Sequence, residues 1–382
     1  MKIHRRNIKY KYRRIGAGIT VFIAALSLVL VNLPRAQASQ LNKKYSFIKT
    51  NYTVPTSNVA WVAPNGNDTS GNGSEGSPYA TFKKALSSIS NGGTVVAKSG
   101  IYREPHFFIS GDNVTIQAAP GAEVWLKGSD VVNSWTSENG IWKTTGNYHN
   151  FCHVCTTNAN PSVEGVAAYP EQVFINDEPL KQVKTKAEVT PGSNTFYVED
   201  NTPTTLKTPN NNADGYNIGQ QDAISYYIGK NPASGVTEIS ERARAFTSTG
   251  KNVSVKGINV AQYSPVQVWG FQDPYDPAAE RGVYSGPTAV SINGSGSLVQ
   301  DMIVTQSASQ GLFFNKAESS TARGVKAVDN GGSGVGANKS HNTVFTNGEL
   351  YGNNAEGFLT IGCGAYCTMA DIKVTHTRNF TF

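Results

Sequence analysis

Lys316 and Lys339 stand 23 residues apart, and so do Glu318 and His341. If the chain repeats at that interval in stacked strands, each pair lies about 5 Å apart along the stack. Two ammonium groups at that spacing each favour the neutral form of the other, and together they can hold a substrate carboxylate. A neutral lysine can also take the proton α to a uronate carboxyl in a β-elimination. Glu318 beside His341 could orient and charge the imidazole. The plainer alternative is four surface side chains in water.

A second candidate is the loop from 264 to about 287. Trp269, Phe271, Tyr275 and Tyr284 offer flat apolar faces for sugar rings, and Asp273 and Arg281 offer polar handles. Asp276 and Glu280 could supply the two carboxyls a glycoside hydrolase needs, about 5–10 Å apart. Equally, the aromatics could cover the flank of the fold while the charges are solvated. Calcium would need clustered oxygen ligands. At the 23-residue interval Asp329 aligns with Gln306 and Gly352, and Glu356 with Ser333 and Gln310, so no acidic column forms. Calcium is therefore possible only if the 264–287 loop supplies ligands, and no other cofactor is implied. No Gly-rich phosphate loop, HExxH or nucleophile elbow occurs.

The element that must position these residues is a repeat. Val255-Lys-Gly-Ile258-Asn-Val260 matches segments beginning at Val299, Ala322, Phe345 and Met369, at spacings of 44, 23, 23 and 24. Gly311, Gly334 and Gly357 form a second column, each opening a short apolar run. One such unit cannot bury its apolar residues alone, whereas stacked units bury them in a continuous column. Ser307, Asn330 and Asn353 share a turn position and can form a side-chain ladder. The Leu-x-x-Leu-x-Leu pattern of a leucine-rich repeat is missing. The pattern predicts an all-β, parallel β-helix of about 23-residue coils, with Leu312, Val335 and Phe358 in one stack.

Trp61-Val-Ala-Pro-Asn-Gly-Asn-Asp68, Gly76-Ser-Pro-Tyr-Ala-Thr-Phe-Lys-Lys-Ala85 and Gly100-Ile-Tyr-Arg-Glu104 resemble the N-terminal segment of pectate-lyase-like right-handed β-helix proteins. The resemblance implies that a helix near 81–89 caps the apolar end of the solenoid. Phe82, Ala85, Leu86 and Ile89 do fall on one helical face. Residues 170–183, with Phe196-Tyr-Val198 and Tyr226-Tyr-Ile-Gly229, resemble the β-rich insertion of many bacterial members. The expected organisation is a leader over 1–38, a linker over 39–57, cap and first coils over 58–145, insertion over 146–245 and coils over 246–382. The resemblance also implies a carbohydrate groove along one parallel sheet, here the one at Gly311, Gly334 and Gly357. It does not fix the reaction, since this fold hosts lyases, hydrolases, epimerases, esterases and non-enzymes.

Residues 1–38 read as a secretory signal: a cationic stretch to Arg14, an apolar stretch from Ile19 to Leu33, then Ala36-Gln37-Ala38 as a cleavage site. An uncleaved membrane anchor is the alternative. Eight of the 33 Lys and Arg residues lie in this leader. The remaining 25 face 27 acidic residues, a balance of −2, so a nucleic-acid-binding body is disfavoured. The 38 glycines indicate many turns. Cys152, Cys155, Cys363 and Cys367 form two close pairs, read as disulfides in a secreted chain, with a zinc site or free thiols as alternatives. No cap is visible after Met369, so the C-terminal end is expected to be covered by further coils or by another chain. The functional expectation is a secreted, extracellular protein that binds and processes a polysaccharide, with a uronate-containing glycan favoured. The alternative is a non-catalytic adhesion scaffold.

Overall fold

The computed structural model describes residues 35–149, 151, 169–200, 221–265, 288–357 and 370–382. Three parallel sheets carry a right-handed parallel β-helix. Sheet I stacks Val59–Val62, Thr94–Ala97, Thr115–Ala118, Ser254–Lys256, Leu298–Gln300, Thr321–Arg323 and Val344–Thr346. Sheet II stacks Gly100–Tyr102, Val124–Lys127, Ile258–Ala261, Ile303–Thr305, Lys326–Val328 and Glu349–Tyr351. Sheet III stacks Phe107–Ile109, Phe246–Ser248, Thr288–Ile292, Gln310–Asn315, Val335–Asn338 and Ile372–Thr375. A regular coil crosses sheet I, then II, then III.

The strands are short because each corner must turn the chain. They hold together because every second side chain points into a shared interior. Val95, Ile116, Val255, Val299, Ala322 and Phe345 are successive register partners in sheet I. Val290, Leu312 and Val335 do the same in sheet III. All are buried, and each large apolar side chain contributes about 1.5–3 kcal/mol on burial. The side-chain ladder at the turn forms between the two asparagines, and Ser307 joins it through its backbone N–H rather than its hydroxyl. Asn330 Nδ2 donates to Asn353 Oδ1 at 2.9 Å, and Ser307 N donates to Asn330 Oδ1 at 3.1 Å.

Two register expectations are corrected. Ile372 pairs with Val335 in sheet III, so the segment from Met369 to Val374 is not a fifth member of the sheet I column. It follows that Ile372, rather than Phe358, stacks on Val335; Phe358 itself lies outside the described residues. The physical reason is an extra stretch in the last turn. Asn338 pairs with Thr375, 37 residues on, where the previous coil steps Asn315 to Asn338 in 23.

The helix Phe82–Ser88 closes the N-terminal end. Phe82 packs edge-on to Tyr102 at 5.0 Å and stacks on Phe107 at 5.5 Å. Its first N–H groups are satisfied from afar: Asp68 accepts from Ala80 N and Thr81 N, and Glu104 accepts from Phe82 N and Lys83 N. Two acids of the quoted N-terminal motifs therefore fix the cap. A second helix, Arg35–Tyr45, lays Leu41 and Tyr45 against Trp125, Ala261, Ile303 and Val328 on the outer face of sheet II. The chain then runs on to Tyr52, whose hydroxyl donates to Asp301, and Thr53, whose carbonyl accepts from Gln117 Nε2.

The insertion leaves the solenoid directly after Lys127 and returns at Phe246, so the coils on either side stack as though it were absent. It carries a four-stranded sheet that includes Val173–Ile175 and Thr237–Ser240, and a five-stranded sheet built on Thr195–Asp200, Gln221–Ile228 and Ile141–His149. Ser129–Val131, Thr136–Glu138 and Ile141–His149 pair within these sheets, so the excursion starts before residue 146. Its own core includes Val173, Ile175, Leu180, Phe196, Ile224 and Ile228. A buried ionic knot pins it down. Lys127 Nζ meets Asp177 at 2.6 Å and Glu238 at 2.5 Å, and Arg103 also binds Glu238.

Candidate functional site

Three departures from the regular coil leave from the same corner, between sheets II and III: residues 128–245, 262–287 and 352–371. Where the insertion folds back on that corner, a cleft of about 420 Å³ opens between it and the coils. Phe174, Leu180 and Phe196 supply an apolar wall from the insertion, with Lys181 at the rim. Glu171 comes from the strand approach to the same sheet, while Asp329 and Glu356 come from the II–III turns of two successive coils.

Local structure explains how two of the three carboxyls are held. Glu356 N donates to Gly331 O, and the Glu356 stem runs directly over Gly331. A Cβ on Gly331 would sit 2.2 Å from Ala308 O, so the backbone of the neighbouring coil demands glycine there, and the Glu356 stem lies over the space it leaves. Burial pushes the Glu356 carboxyl up to about 7. Asp329 accepts a hydrogen bond from the Tyr45 hydroxyl at 3.0 Å, which brings the N-terminal helix to the cleft wall. The floor is set by amides: Gln262 Nε2 donates to Gln306 Oε1 at 3.1 Å, and Gln306 Nε2 donates to Asp177 O at 2.7 Å. A carboxyl that holds its proton near neutrality, two further carboxyls and an apolar face can perform acid–base chemistry on a bound sugar chain.

The lysine column lies at the opposite corner, between sheets III and I. Lys316 N donates to Asn338 O and Lys339 N to Thr375 O, which stacks Lys316, Lys339 and His376 on successive coils. Ser319 N donates to His341 O and Asn342 N to Arg378 O, which aligns Glu318, His341 and Arg378 beside them. These six side chains and Thr377 line an open depression of about 720 Å³. Lys316 and Lys339 are exposed.

Asp273, Asp276, Glu280, Arg281, Trp269 and Tyr275 lie outside the described residues, as do Cys152, Cys155, Cys363 and Cys367. Among the described residues no group of three or more His, Cys, Asp or Glu is gathered to hold a metal. No helix among them is long and apolar enough to cross a membrane.

Sequence reasoning reached Glu356 and Asp329 only as register positions and missed Glu171. The register of Glu356 was the available signal, but nothing in the spacing showed that the insertion would cover it. Lys373 was also missed. It stacks next to Gly336 in the outward row of sheet III, where the Phe313 ring lies over that glycine. Desolvation lowers its ammonium from the ordinary lysine range.

No family model matches the chain, and no curated protein matches it by sequence. Among solved structures, XylC in complex with xylose superposes with a TM-score of 0.60 at 15% identity, covering 83% of this chain and 56% of that one. The chain thus spans little more than half the length of XylC. A glycoside hydrolase gives a TM-score of 0.47 at 12% identity, covering 76% and 73% of the two chains. Pectate lyase Pel9A gives 0.38 at 14%, covering 78% and 48%. The likeness is one of fold: this chain has a pectate-lyase-like right-handed parallel β-helix.

Proposed function

We propose that the protein acts outside the cell on a polysaccharide, and that it hydrolyses a glycosidic bond in the cleft between the insertion and the coils. Glu356 is the general acid. Its proton goes to the glycosidic oxygen as the bond to the anomeric carbon breaks. A water molecule supplies the new hydroxyl, and its proton passes to the second carboxyl, Glu171 or Asp329. Phe174, Leu180 and Phe196, buried in the insertion, back the cleft and keep that wall rigid and apolar. Lys181 at the rim suits a uronate carboxylate, which favours a uronate-containing glycan. The observation that carries this reading is that Glu356, Glu171 and Asp329 line one cleft, where desolvation raises the Glu356 carboxyl above its ordinary range. Lyase and epimerase chemistry would need a base beside the uronate carboxyl. Lys316 and Lys339 offer ammonium groups, but they stand in open water with no apolar wall to shield a substrate.

The test is release of reducing ends from uronate-containing and neutral glycans. Glu356→Gln is expected to lower kcat by about 10²–10⁴ while the protein still melts cooperatively. Because the acid must be protonated, kcat should fall as pH rises through about 7. Binding without any product would favour a non-catalytic scaffold, and an unchanged rate in Glu356→Gln would remove this residue as the acid.

A further inference from the structure

The corner between sheets III and I carries a second pattern that hydrolysis does not use. Lys316 and Lys339 repeat one coil apart, about 4.8 Å along the solenoid axis. Arg378 adds a guanidinium two positions along from His376 in the last coil. Among the described residues one acid, Glu318, lines the same depression. This is a local concentration of positive charge on a body whose balance outside the leader is −2. General attraction of polyanions to the whole body therefore does not account for it.

The two imidazoles make the depression more than a patch of charge. Arg378 N donates to His341 Nδ1 at 3.0 Å, so His341 keeps its proton on Nε2 and offers a donor. His376 Nδ1 faces Asn338 Oδ1 at 3.1 Å, so Nδ1 is the donor and Nε2 is turned from that bond toward the depression. The surface thus pairs periodic cations with two imidazole nitrogens able to meet sugar hydroxyls. Among the described residues its only aromatic rings are the two imidazoles, and no Phe, Tyr or Trp offers a larger platform for stacking bases. We propose that this column is a second, non-catalytic site that holds one strand of an acidic polysaccharide along the solenoid axis. The ammonium and guanidinium groups meet carboxylates on successive sugars, and the imidazoles meet sugar hydroxyls. The site does not depend on hydrolysis in the cleft.

The full chain is tested by affinity electrophoresis in gels containing polygalacturonate, neutral dextran or inorganic polyphosphate. Polygalacturonate is expected to retard it, dextran not at all, and polyphosphate less than polygalacturonate, because polyphosphate has charge but no sugar hydroxyls. A triple variant, Lys316→Gln, Lys339→Gln and Arg378→Gln, should lose about tenfold in affinity, the factor for three solvent-exposed ion pairs. It should melt like the parent, since these side chains are on the surface. The triple variant should keep the parental kcat of the cleft, because none of its three side chains lines that cleft, and this separates the two sites. Polyphosphate bound as tightly as polygalacturonate, or a triple variant bound as tightly as the parent, would overturn the proposal.

Discussion

The corner between sheets I and II and the corner between sheets II and III are built under opposite rules. At the first, Gly257, Asp301, Gly324 and Asn347 occupy one position in successive coils, and all have left-handed backbone with φ between 50 and 67. In these four coils the chain bends at that residue, whereas the first two coils turn over 98–99 and 119–123, and glycine, asparagine and aspartate are the types that accept that conformation most readily. At the second corner the connection is short in some coils and grows into a whole two-sheet insertion in another. The sheets stack identically on both sides of that insertion, so the coil interior does not read what leaves at this corner. Freedom at one corner is possible because the other is clamped, and the cleft forms at the free one.

The largest expected effect breaks the link between the free corner and what hangs on it. Lys127 is the last residue of its sheet II strand, fully buried, and it binds both Asp177 and Glu238. Burial alone would raise the Glu238 carboxyl, but Lys127 and Arg103 beside it hold it below the usual range. Lys127→Ala would leave two acids without that cation in a dry interface, at a cost of about 3–5 kcal/mol. The expected result is an insertion that is cleaved rapidly in limited proteolysis and a loss of cleft activity. Proteolysis at the parental rate would mean that the insertion is held by its other contacts.

The same contrast explains what the sequence made legible. Positions clamped by the coil interior repeat visibly: Val255, Val299, Ala322 and Phe345 line up by spacing and line up in sheet I. Lys316 and Lys339 stack for the same reason. Whatever the free corner adds is invisible to a period. The extra stretch before Ile372 shifted its strand into sheet III and hid Lys373. Glu171 belongs to a segment with no repeat, and only tertiary folding brings it beside Glu356. Tyr45 was unreadable as a cleft neighbour because its contact to Asp329 spans 284 positions.

A smaller effect sharpens the comparison directly. Gly324 has φ +64, and an added Cβ would stand 2.5 Å from Asp301 Oδ1 of the neighbouring coil. Gly324→Val is expected to destabilise by about 1–2 kcal/mol, read as a shift in the denaturation midpoint. Two glycines inserted into the 264–287 connection at the free corner should cost no more than about 0.6 kcal/mol. Equal costs at the two corners would remove the distinction between clamped and free.

The smallest effect tests whether the free corner is tuned from outside the coils. Tyr45 is 2% exposed, and its hydroxyl reaches Asp329, which lines the cleft. Tyr45→Phe keeps the ring against sheet II and removes only that donor. The stability cost should be about 0.5–1.5 kcal/mol, the value of one hydrogen bond. If Asp329 contributes to substrate handling, the variant should also change KM or kcat on a glycan substrate, whereas a purely structural bond would leave both unchanged once the protein is folded. A kinetic change larger than the stability loss would place the N-terminal helix among the parts that position the cleft. Kinetics identical to the parent would confine the helix to covering the outer face of sheet II.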